Sequence, residues 1–362
     1  MKSSTRVKLF WALVAFPFAL AESLGAQDRA SVEGHVRFID SVVTSAESRG
    51  FSGILLIRSR DMDLLFRAYG WLDREAGRRM TVETGIEIGS IVKPLTLTAL
   101  LRLEEMGKLS LGDSLAAFFP DAPADKRTIT LEQVARHTAG FPDVFGGDYD
   151  PVSRDWIVER VLNAPLIASP GERESYSNSG YSLLAAIIEQ RSGQGYEDFV
   201  REQVLLPAGV AHIGYVLAGW RREDLAVGYR ADGVRWGTPL DSAWRDDGPG
   251  WNLRGNGGMF ATAAELMDWY EALYDGKVLG ERGLATFLAI DAGESRSVGG
   301  PALGHAGGNG IFNTLHVSFF EPDTHMTFFS SVADHQAEDL WRGFREAVIA
   351  IARAAKTGEG GR

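Results

Sequence analysis

The spacing of hydrophobic residues changes twice along the chain, and these changes outline its elements. Residues 30–49 have a helical pattern. Two short apolar runs follow, Phe51–Arg58 and Asp63–Tyr69, and the polar turn between them predicts an antiparallel hairpin. Runs rich in aromatic and β-branched residues, which are typical of strands, return late in the chain at Ile311–Phe320 and His325–Val332.

Between these strand runs the pattern is mostly helical, and stretches rich in Gly, Pro and Asp separate the helices. The predicted helices cover residues 91–106, 130–137, 153–163, 179–191 and 195–204. A last helix carries one apolar stripe, which consists of Leu340, Phe344, Val348 and Ile351. The predicted elements after residue 26 therefore begin and end with a helix next to strands.

Strands at both chain ends with helices between them predict one sheet built from the two ends. The expected fold class is α/β (α+β), with an antiparallel sheet flanked by helices and an inserted, mostly helical domain. We place the sheet domain at 27–89 and 258–362, and the helical domain at 90–257 with an irregular Trp-rich segment at 220–251. A cleft between the two domains is the expected ligand site.

Residues 1–26 have the pattern of a signal peptide. Three basic residues precede an apolar run, Leu9–Ala21, which is too short for an ordinary transmembrane span. Small residues allow cleavage after Ala21 or after Ala26, and we favour the second; an uncleaved anchor is the alternative. The expected location is periplasmic or secreted, without a stable membrane span after cleavage.

The composition of the chain limits which classes of function are open to it. A chain of 362 residues with 45% hydrophobic content is typical of a globular protein. Its net charge of -11, which loss of residues 1–26 would bring to about -13, and the absence of a Lys/Arg cluster argue against a nucleic-acid partner. There is no cysteine, so neither a disulfide nor a lipid-anchoring thiol is available, and stability must come from core packing.

The segment 87–94 carries the strongest chemical signal, because it sets Ser90 and Lys93 three residues apart at a predicted helix start. Residues i and i+3 share a helix face, so the amine can reach the hydroxyl and act as its base. Pro94 is tolerated only in a first turn, which places the helix start near Ile91. Partial desolvation is expected to lower the pKa of Lys93, and the helix dipole favours an oxyanion at Ser90.

Tyr176-Ser177-Asn178 precedes another predicted helix. A phenol beside the Ser/Lys pair would shuttle a proton to a leaving group, and the asparagine would orient the substrate and the lysine. The alternative is structural: Ser177 or Asn178 would serve as the N-cap, and the tyrosine would pack.

The segment His305-Ala306-Gly307-Gly308 lies just before the late strand at 311. A glycine-rich strand edge lets a substrate approach the backbone, whose NH groups then contribute to an oxyanion hole. For a histidine beside glycines, an ordinary turn is the alternative explanation.

These three segments, Ser90-x-x-Lys93, Tyr176-Ser177-Asn178 and His305-Ala306-Gly307, resemble in this order the motifs of the serine β-lactamase and penicillin-binding-protein superfamily. The class C-like branch, which includes DD-peptidases, D-amino-acid peptidases and esterases, is the closer match because it has a tyrosine in the second motif. The resemblance covers nearly all of the mature chain. Supporting stretches are Gly112–Leu115, Arg136–Gly140, in which His137 is expected to be structural, and Gly257–Ala263.

The resemblance implies a β-lactamase/transpeptidase-like fold and a role for each motif residue. Ser90 would be the acylated nucleophile, Lys93 its base or the orienter of the base, and Tyr176 the proton relay. Asn178 would bind the substrate amide, and His305 would line the opposite wall. The oxyanion hole would consist of the backbone NH groups of Ser90 and Gly308, with Gly307 beside them. The implied partner is a small-molecule or peptide substrate, and no metal or organic cofactor is implied.

The third motif departs from the family pattern. Members that act on penicillins commonly have Lys-Thr-Gly there, where the lysine and the threonine help to bind a substrate carboxylate; here these positions are His305 and Ala306. A neutral imidazole attracts a carboxylate less strongly than an ammonium. The departure argues against β-lactamase or DD-peptidase specificity and leaves acyl-serine chemistry intact.

The Trp-rich segment bears on the acyl group of the substrate. Its four tryptophans, Trp220, Trp236, Trp244 and Trp251, either form an apolar acyl pocket at the rim of the cleft or pack beneath a long loop. A pocket of this kind would favour hydrophobic acyl or aryl groups.

These patterns together predict an exported serine hydrolase that cleaves an ester or amide, whether a β-lactam, a D-amino-acid peptide or a carboxylic ester, through an acyl-Ser90 intermediate. The alternative is a non-catalytic or slowly deacylating binding protein for peptidoglycan fragments or β-lactams, although a pure binder has no need of Ser90, Lys93 and Tyr176 together. The α/β-hydrolase esterases require a Gly-x-Ser-x-Gly elbow, which this sequence lacks. The sequence leaves the oligomeric state open.

Overall fold

A computed structural model describes residues 26–244, 246–294, 302–320, 323–333 and 336–357. Residues 1–25, which hold most of the predicted signal peptide, lie outside the described residues. The described α-helices are α1 Ala26–Glu47, α2 Val92–Glu105, α3 Leu131–Ala135, α4 Arg154–Asn163, α5 Asn178–Ser192, α6 Tyr196–Val200, α7 Ala263–Tyr274, α8 Glu281–Glu294 and α9 Gln336–Thr357. The described β-strands are β1 Gly53–Ser59, β2 Met62–Tyr69, β3 Trp71–Asp73, β4 Arg78–Arg79, β5 Ile86–Glu87, β6 Gly228–Tyr229, β7 Arg235–Gly237, β8 Phe260–Ala261, β9 Ala302–Gly308, β10 Asn313–Phe320 and β11 Asp323–Ser330.

The main sheet has five antiparallel strands in the order β2-β1-β11-β10-β9, so the two ends of the chain build it together, as predicted. Strand β1 lies inside the sheet and is buried on both faces. Its side chains alternate between the faces, with Leu55 and Ile57 on one and Ile54 and Leu56 on the other. The near-continuous apolar run of this strand follows from this double burial.

The face of the sheet that carries Leu55 and Ile57 is covered by α1 and α9, which pack against each other. The predicted stripe of α9 is buried here, with Phe344, Val348 and Ile351 all fully or almost fully inaccessible to solvent. Because both terminal helices bury their apolar faces on the same side of the sheet, they form one layer with the sheet.

The opposite face of the sheet meets α7 and the helical part of the molecule. Helix α2 lies within this part and is buried along most of its length, which explains why apolar side chains occur on more than one of its faces. Neighbouring helices α5, α6 and α8 surround it. None of the helices in the described ranges combines the length and the apolar character that a membrane crossing would require.

Several element boundaries differ from the predicted ones for identifiable reasons. The helix predicted at 130–137 ends at Ala135, because His137 has a left-handed backbone conformation with φ of 55°. The helix predicted at 195–204 is α-helical to Val200 and continues as a π-helical turn, Arg201–Leu205. The segment 305–308 is part of β9, the edge strand of the sheet, and not a free turn before the strand at 311.

Candidate active site

Ser90 lies on a 3₁₀ turn, Gly89–Ile91, that leads from β5 into α2. Gly89 has φ of +50°, and a Cβ atom at this position would lie 2.3 Å from the backbone nitrogen of Gly308, so the turn requires glycine. Helix α2 begins at Val92, with Pro94 in its first turn, where the missing NH costs no helical hydrogen bond. The turn therefore presents Ser90 at a helix N-terminus.

Lys93 is buried, with 1% of its surface exposed, and three oxygen atoms surround its amine. Nζ lies 3.1 Å from Oγ of Ser90, 2.7 Å from Oδ1 of Asn178 and 3.0 Å from the carbonyl oxygen of Asn256. The predicted Ser/Lys contact is thus present, and the two further contacts fix the direction of the amine. A proton can pass directly between Lys93 and Ser90 at this distance.

Tyr176 approaches the same hydroxyl from the solvent side. Its Oη donates a hydrogen bond to Oγ of Ser90 at 2.8 Å, and its ring lies 4.7 Å from Nζ of Lys93. The side chain is 43% exposed, so its phenol group faces both the nucleophile and the open cleft. The ring also packs on His137 at 4.6 Å. His137 accepts a hydrogen bond at Nδ1 from the backbone NH of Ser177, which is a structural role for this histidine.

The start of α5 combines a helix cap with a contact to Lys93. Ser177 is the N-cap, and its hydroxyl accepts a hydrogen bond from the NH of Gly180 at 3.0 Å. Asn178, the first helical residue, uses Oδ1 for Lys93 and donates from Nδ2 to Asp143 at 2.9 Å. Asp143 orients the amide, and no sequence motif indicates this aspartate.

The third motif brings β9 against the turn that holds the nucleophile. A Cβ atom on Gly307 would lie 2.1 Å from the carbonyl oxygen of Ile88 and 2.8 Å from the backbone nitrogen of Ser90. Only glycine permits this approach. The backbone of Gly308 consequently lies beside Gly89, next to Ser90.

His305 is placed differently from its predicted position on the wall of the cleft. Its ring is buried with 5% exposure, its Nε2 lies 2.5 Å from Oδ1 of Asp291 in α8, and it stacks on Tyr270 of α7 at 5.0 Å. Alternation along β9 directs His305 and Gly307 to the same face, and α7 and α8 cover that face at His305. This placement does not support the predicted lining role.

A second polar group lies behind Ser90 and was not found from the sequence. The carboxyl of Glu87 accepts hydrogen bonds at Oε2 from Oη of Tyr149 at 2.8 Å and from Nδ2 of Asn309 at 2.7 Å. Glu87 is 2% exposed, and burial raises its pKa to about 7. The available signal was an acidic residue between two isoleucines of an apolar run, three positions before Ser90.

The four tryptophans do not form one pocket. Trp236 packs against Tyr149 and Phe312, with ring centres 5.8 Å apart in both pairs, and so borders the group around Glu87. Trp244 packs on Phe260 at 5.6 Å, and Trp251 is buried beside Arg254. Trp220 lies edge-on to His212, with ring centres 6.4 Å apart. Of the two interpretations of this segment, packing therefore applies to Trp244 and Trp251, whereas Trp236 lies closer to the site.

The charge around the cleft is mainly acidic. Asp148 is partly buried, and desolvation raises its pKa, as do the charges of Asp143 and Asp150, whereas Lys93 opposes the shift. Within the described ranges, no group of three or more His, Asp or Glu side chains is arranged to hold a metal ion.

The chain matches the family model for beta-lactamases over residues 37–315. Penicillin-binding protein PbpX from Bacillus subtilis (strain 168) is 27% identical over 290 residues, which cover 79% of this chain and 72% of that protein. Esterase EstB from Burkholderia gladioli is 28% identical over 275 residues, which cover 65% of this chain and 69% of the esterase. Some other curated relatives are longer, and the chain spans 38% and 42% of the length of two of them.

The fold is also found among solved structures. D-amino acid amidase from Ochrobactrum anthropi SV3, in complex with L-phenylalanine, superposes with a TM-score of 0.71 at 20% identity, over 92% of this chain and 100% of the amidase chain. At this level of identity the likeness concerns the fold, which is of the predicted β-lactamase/transpeptidase-like type.

Proposed function

This chain belongs to the beta-lactamase family of serine hydrolases, and we propose that it cleaves an ester or amide through an acyl intermediate on Ser90. One observation carries this proposal: Lys93 Nζ, at 3.1 Å, and Tyr176 Oη, at 2.8 Å, converge on Oγ of Ser90. A nucleophile within hydrogen-bond reach of two proton-transferring groups is the arrangement that acyl transfer requires.

In acylation, Oγ of Ser90 attacks the substrate carbonyl and its proton passes to Lys93 or Tyr176. The negative charge that develops on the carbonyl oxygen is stabilised by the NH groups of Ser90 and Gly308 and by the N-terminus of α2. Tyr176 protonates the leaving group as its bond to the carbonyl carbon breaks, and Asn178 holds the amide of the substrate. Water then attacks the acyl carbon, the same groups take a proton from the water, and they give a proton to Oγ as the bond between Oγ and the acyl carbon breaks.

We further propose that the substrate lacks a carboxylate next to the scissile bond. The cleft carries the carboxylates of Asp143 and Asp148, and the lysine of the usual third motif is absent. A hydrophobic acyl group would find Trp236 and Phe312 at the side of Tyr149. Relatives named as an esterase and a D-amino acid amidase favour carboxylic esters and amides as the first substrates to try.

We propose that the protein is exported, since residues 1–26 have the charge and hydrophobicity of a signal peptide. Intact-mass analysis of the protein purified from the periplasm of an expressing bacterium would give the cleavage position. A mature chain that begins at Gln27 is the expected result, and an uncleaved cytoplasmic product would contradict export.

Reaction with a fluorophosphonate serine probe, followed by intact-protein mass, tests the nucleophile. The wild type and Ser41→Ala, which changes an exposed serine of α1, are expected to gain one adduct, whereas Ser90→Ala gains none. A folded wild type that gains no adduct would contradict the proposal and favour a binding protein. An adduct that persists in Ser90→Ala would place the nucleophile elsewhere.

A substrate panel then separates the chemical classes. We expect turnover of neutral aryl esters or of D-amino acid amides at higher kcat/KM than turnover of a chromogenic cephalosporin, which carries a carboxylate. Preferred hydrolysis of the cephalosporin would overturn the assignment of substrate class without affecting the role of Ser90.

A further inference from the structure

Glu87 is a carboxyl group in an apolar setting, and two parts of the chain donate hydrogen bonds to it. Tyr149, from the loop between α3 and α4, donates from Oη, and Asn309, from the turn after β9, donates from Nδ2. The backbone NH of Gly258 also favours the ionised form, while Oε1 accepts no hydrogen bond from the described residues. Burial of a charge is costly, so a carboxyl in this setting points to a specific role.

Two of the segments around Glu87, those of Asn309 and Gly258, also carry a part of the proposed machinery. Asn309 follows Gly308, the proposed oxyanion donor, and its Oδ1 closes the turn by accepting hydrogen bonds from the NH groups of Ile311 and Phe312, both at 2.9 Å. Gly258 lies two residues after Asn256, whose carbonyl oxygen accepts a hydrogen bond from Lys93. Glu87 itself lies three residues before Ser90, at the start of the turn that holds the nucleophile.

We propose that Glu87 is a positioning residue for acylation: its ionised carboxyl holds the β9 turn and the Tyr149 loop in place beside Ser90. This role rests on the proposed function of Ser90 as the nucleophile. Loss of this anchor leaves substrate contacts in place and shifts Gly308 relative to Ser90. The effect therefore falls on the acylation rate more than on substrate binding.

The titratable groups that face Glu87 determine how the carboxyl responds to pH. Tyr149 stays protonated, since burial and the adjacent carboxyl raise its pKa, and its hydrogen bond favours the ionised form of Glu87. The charge of Asp148 acts in the opposite sense, and the other groups that favour ionisation, Gly258 and Asn309, are neutral amides. Together with desolvation, these groups bring the pKa of Glu87 to about 7.

The test is the second-order rate of fluorophosphonate labelling at Ser90, with kcat and KM for an aryl ester, measured from pH 5 to pH 9. For the wild type we expect an inflection near pH 7, with the higher rate on the alkaline side. Glu87→Gln keeps the shape of the side chain but does not ionise. Its labelling rate and kcat at pH 8 are expected to fall about 10- to 100-fold, with little change in KM, and the inflection near pH 7 is expected to disappear. Glu83→Gln, an exposed neighbour, is the matched control.

Tyr149→Phe provides an independent test that does not require Glu87→Gln to fold. It removes one donor from the carboxylate, so the pKa of Glu87 rises and the inflection moves to higher pH, which a purely structural role would not produce. An inflection that remains near pH 7 in both variants would assign it to another group and overturn the proposal. Absence of labelling in the wild type would instead be a failure of the proposed nucleophile.

Discussion

A Cβ atom on Gly307 would lie 2.8 Å from the backbone nitrogen of Ser90, which is too close for a contact between a Cβ atom and an atom of a separate residue. The edge strand of the sheet therefore touches the nucleophile turn, and a side chain at this position must push the two apart. The proposed oxyanion hole depends on that contact, because one of its donors is on the turn and the other, Gly308, is on the strand.

We predict that Gly307→Ala lowers kcat by about 100-fold, the cost of losing an oxyanion-hole donor. The measurement is steady-state turnover of an aryl ester, with circular dichroism to verify the fold. Gly34→Ala is the matched control, since a Cβ atom on Gly34 in α1 meets nothing within 4 Å. Full activity of Gly307→Ala would show that the oxyanion hole does not depend on this contact.

Lys93→Met is predicted to abolish most of the acylation activity. The substitution keeps a flexible apolar chain and removes the amine that contacts Ser90, Asn178 and Asn256. We expect the fluorophosphonate labelling rate to fall by roughly 10³-fold, as for loss of a general base. Lys108→Met, an exposed lysine just after α2, should label at the wild-type rate. If Lys93→Met is labelled at a rate comparable to that of the wild type, the role of general base belongs to Tyr176.

Tyr176→Phe separates proton relay from packing. The ring can still stack on His137 and face Lys93, whereas the hydroxyl that donates to Ser90 is lost. We predict a fall in kcat of about 10- to 100-fold, with a larger effect for substrates with poor leaving groups, because these need protonation. Equal losses for esters with good and poor leaving groups would argue against a relay role.

The parts of this site that the sequence predicts are those governed by local geometry. Ser90 and Lys93 meet because residues three apart share a helix face, and Pro94 fixes where that helix can begin. The resemblance to known motifs supplied the long-range placement of Tyr176 and Gly307. No spacing rule relates positions so far apart in the chain.

The contacts that the sequence did not predict depend on tertiary packing. Asp143 and the carbonyl oxygen of Asn256 reach the Lys93–Asn178 pair from segments without a recognisable pattern. The direction of the His305 side chain depends on which elements cover β9, and the position of α8, a helix absent from the predicted set, was needed to settle it. The sequence thus predicted that the third motif lies close to Ser90, but it did not predict the direction of the His305 side chain.

The buried carboxyl of Glu87 has a consequence for stability as well as for rate. Its pKa is raised from 4.5 to about 7 in the folded protein, so the folded state binds this proton more tightly than the unfolded state. The free energy of unfolding should therefore fall as pH rises from about 4.5 to about 7, by about 3 kcal/mol for this group. Urea unfolding of Glu87→Gln across this range should lack that decrease relative to wild type; parallel curves would contradict the raised pKa.

His316 should produce the opposite dependence on pH. It is fully buried on the face of β10 that packs against α7, stacks on Tyr270 at 4.0 Å and contacts the hydroxyls of Thr327 and Ser318, both at 2.9 Å. Burial, followed by the nearby His325 and His305, lowers its pKa well below the usual value, so the folded protein holds it neutral. The unfolded chain takes up this proton near pH 6.5, and the free energy of unfolding should fall by up to about 1.4 kcal/mol per pH unit below that point.

His316→Gln retains an amide that can contact both hydroxyls but does not titrate. Urea unfolding between pH 7 and pH 5 should therefore show a flatter loss of stability for this variant than for wild type. His212→Gln, which changes an exposed histidine, is the matched control and should keep the wild-type slope. If His316→Gln and wild type lose stability in parallel, the acid sensitivity does not come from His316.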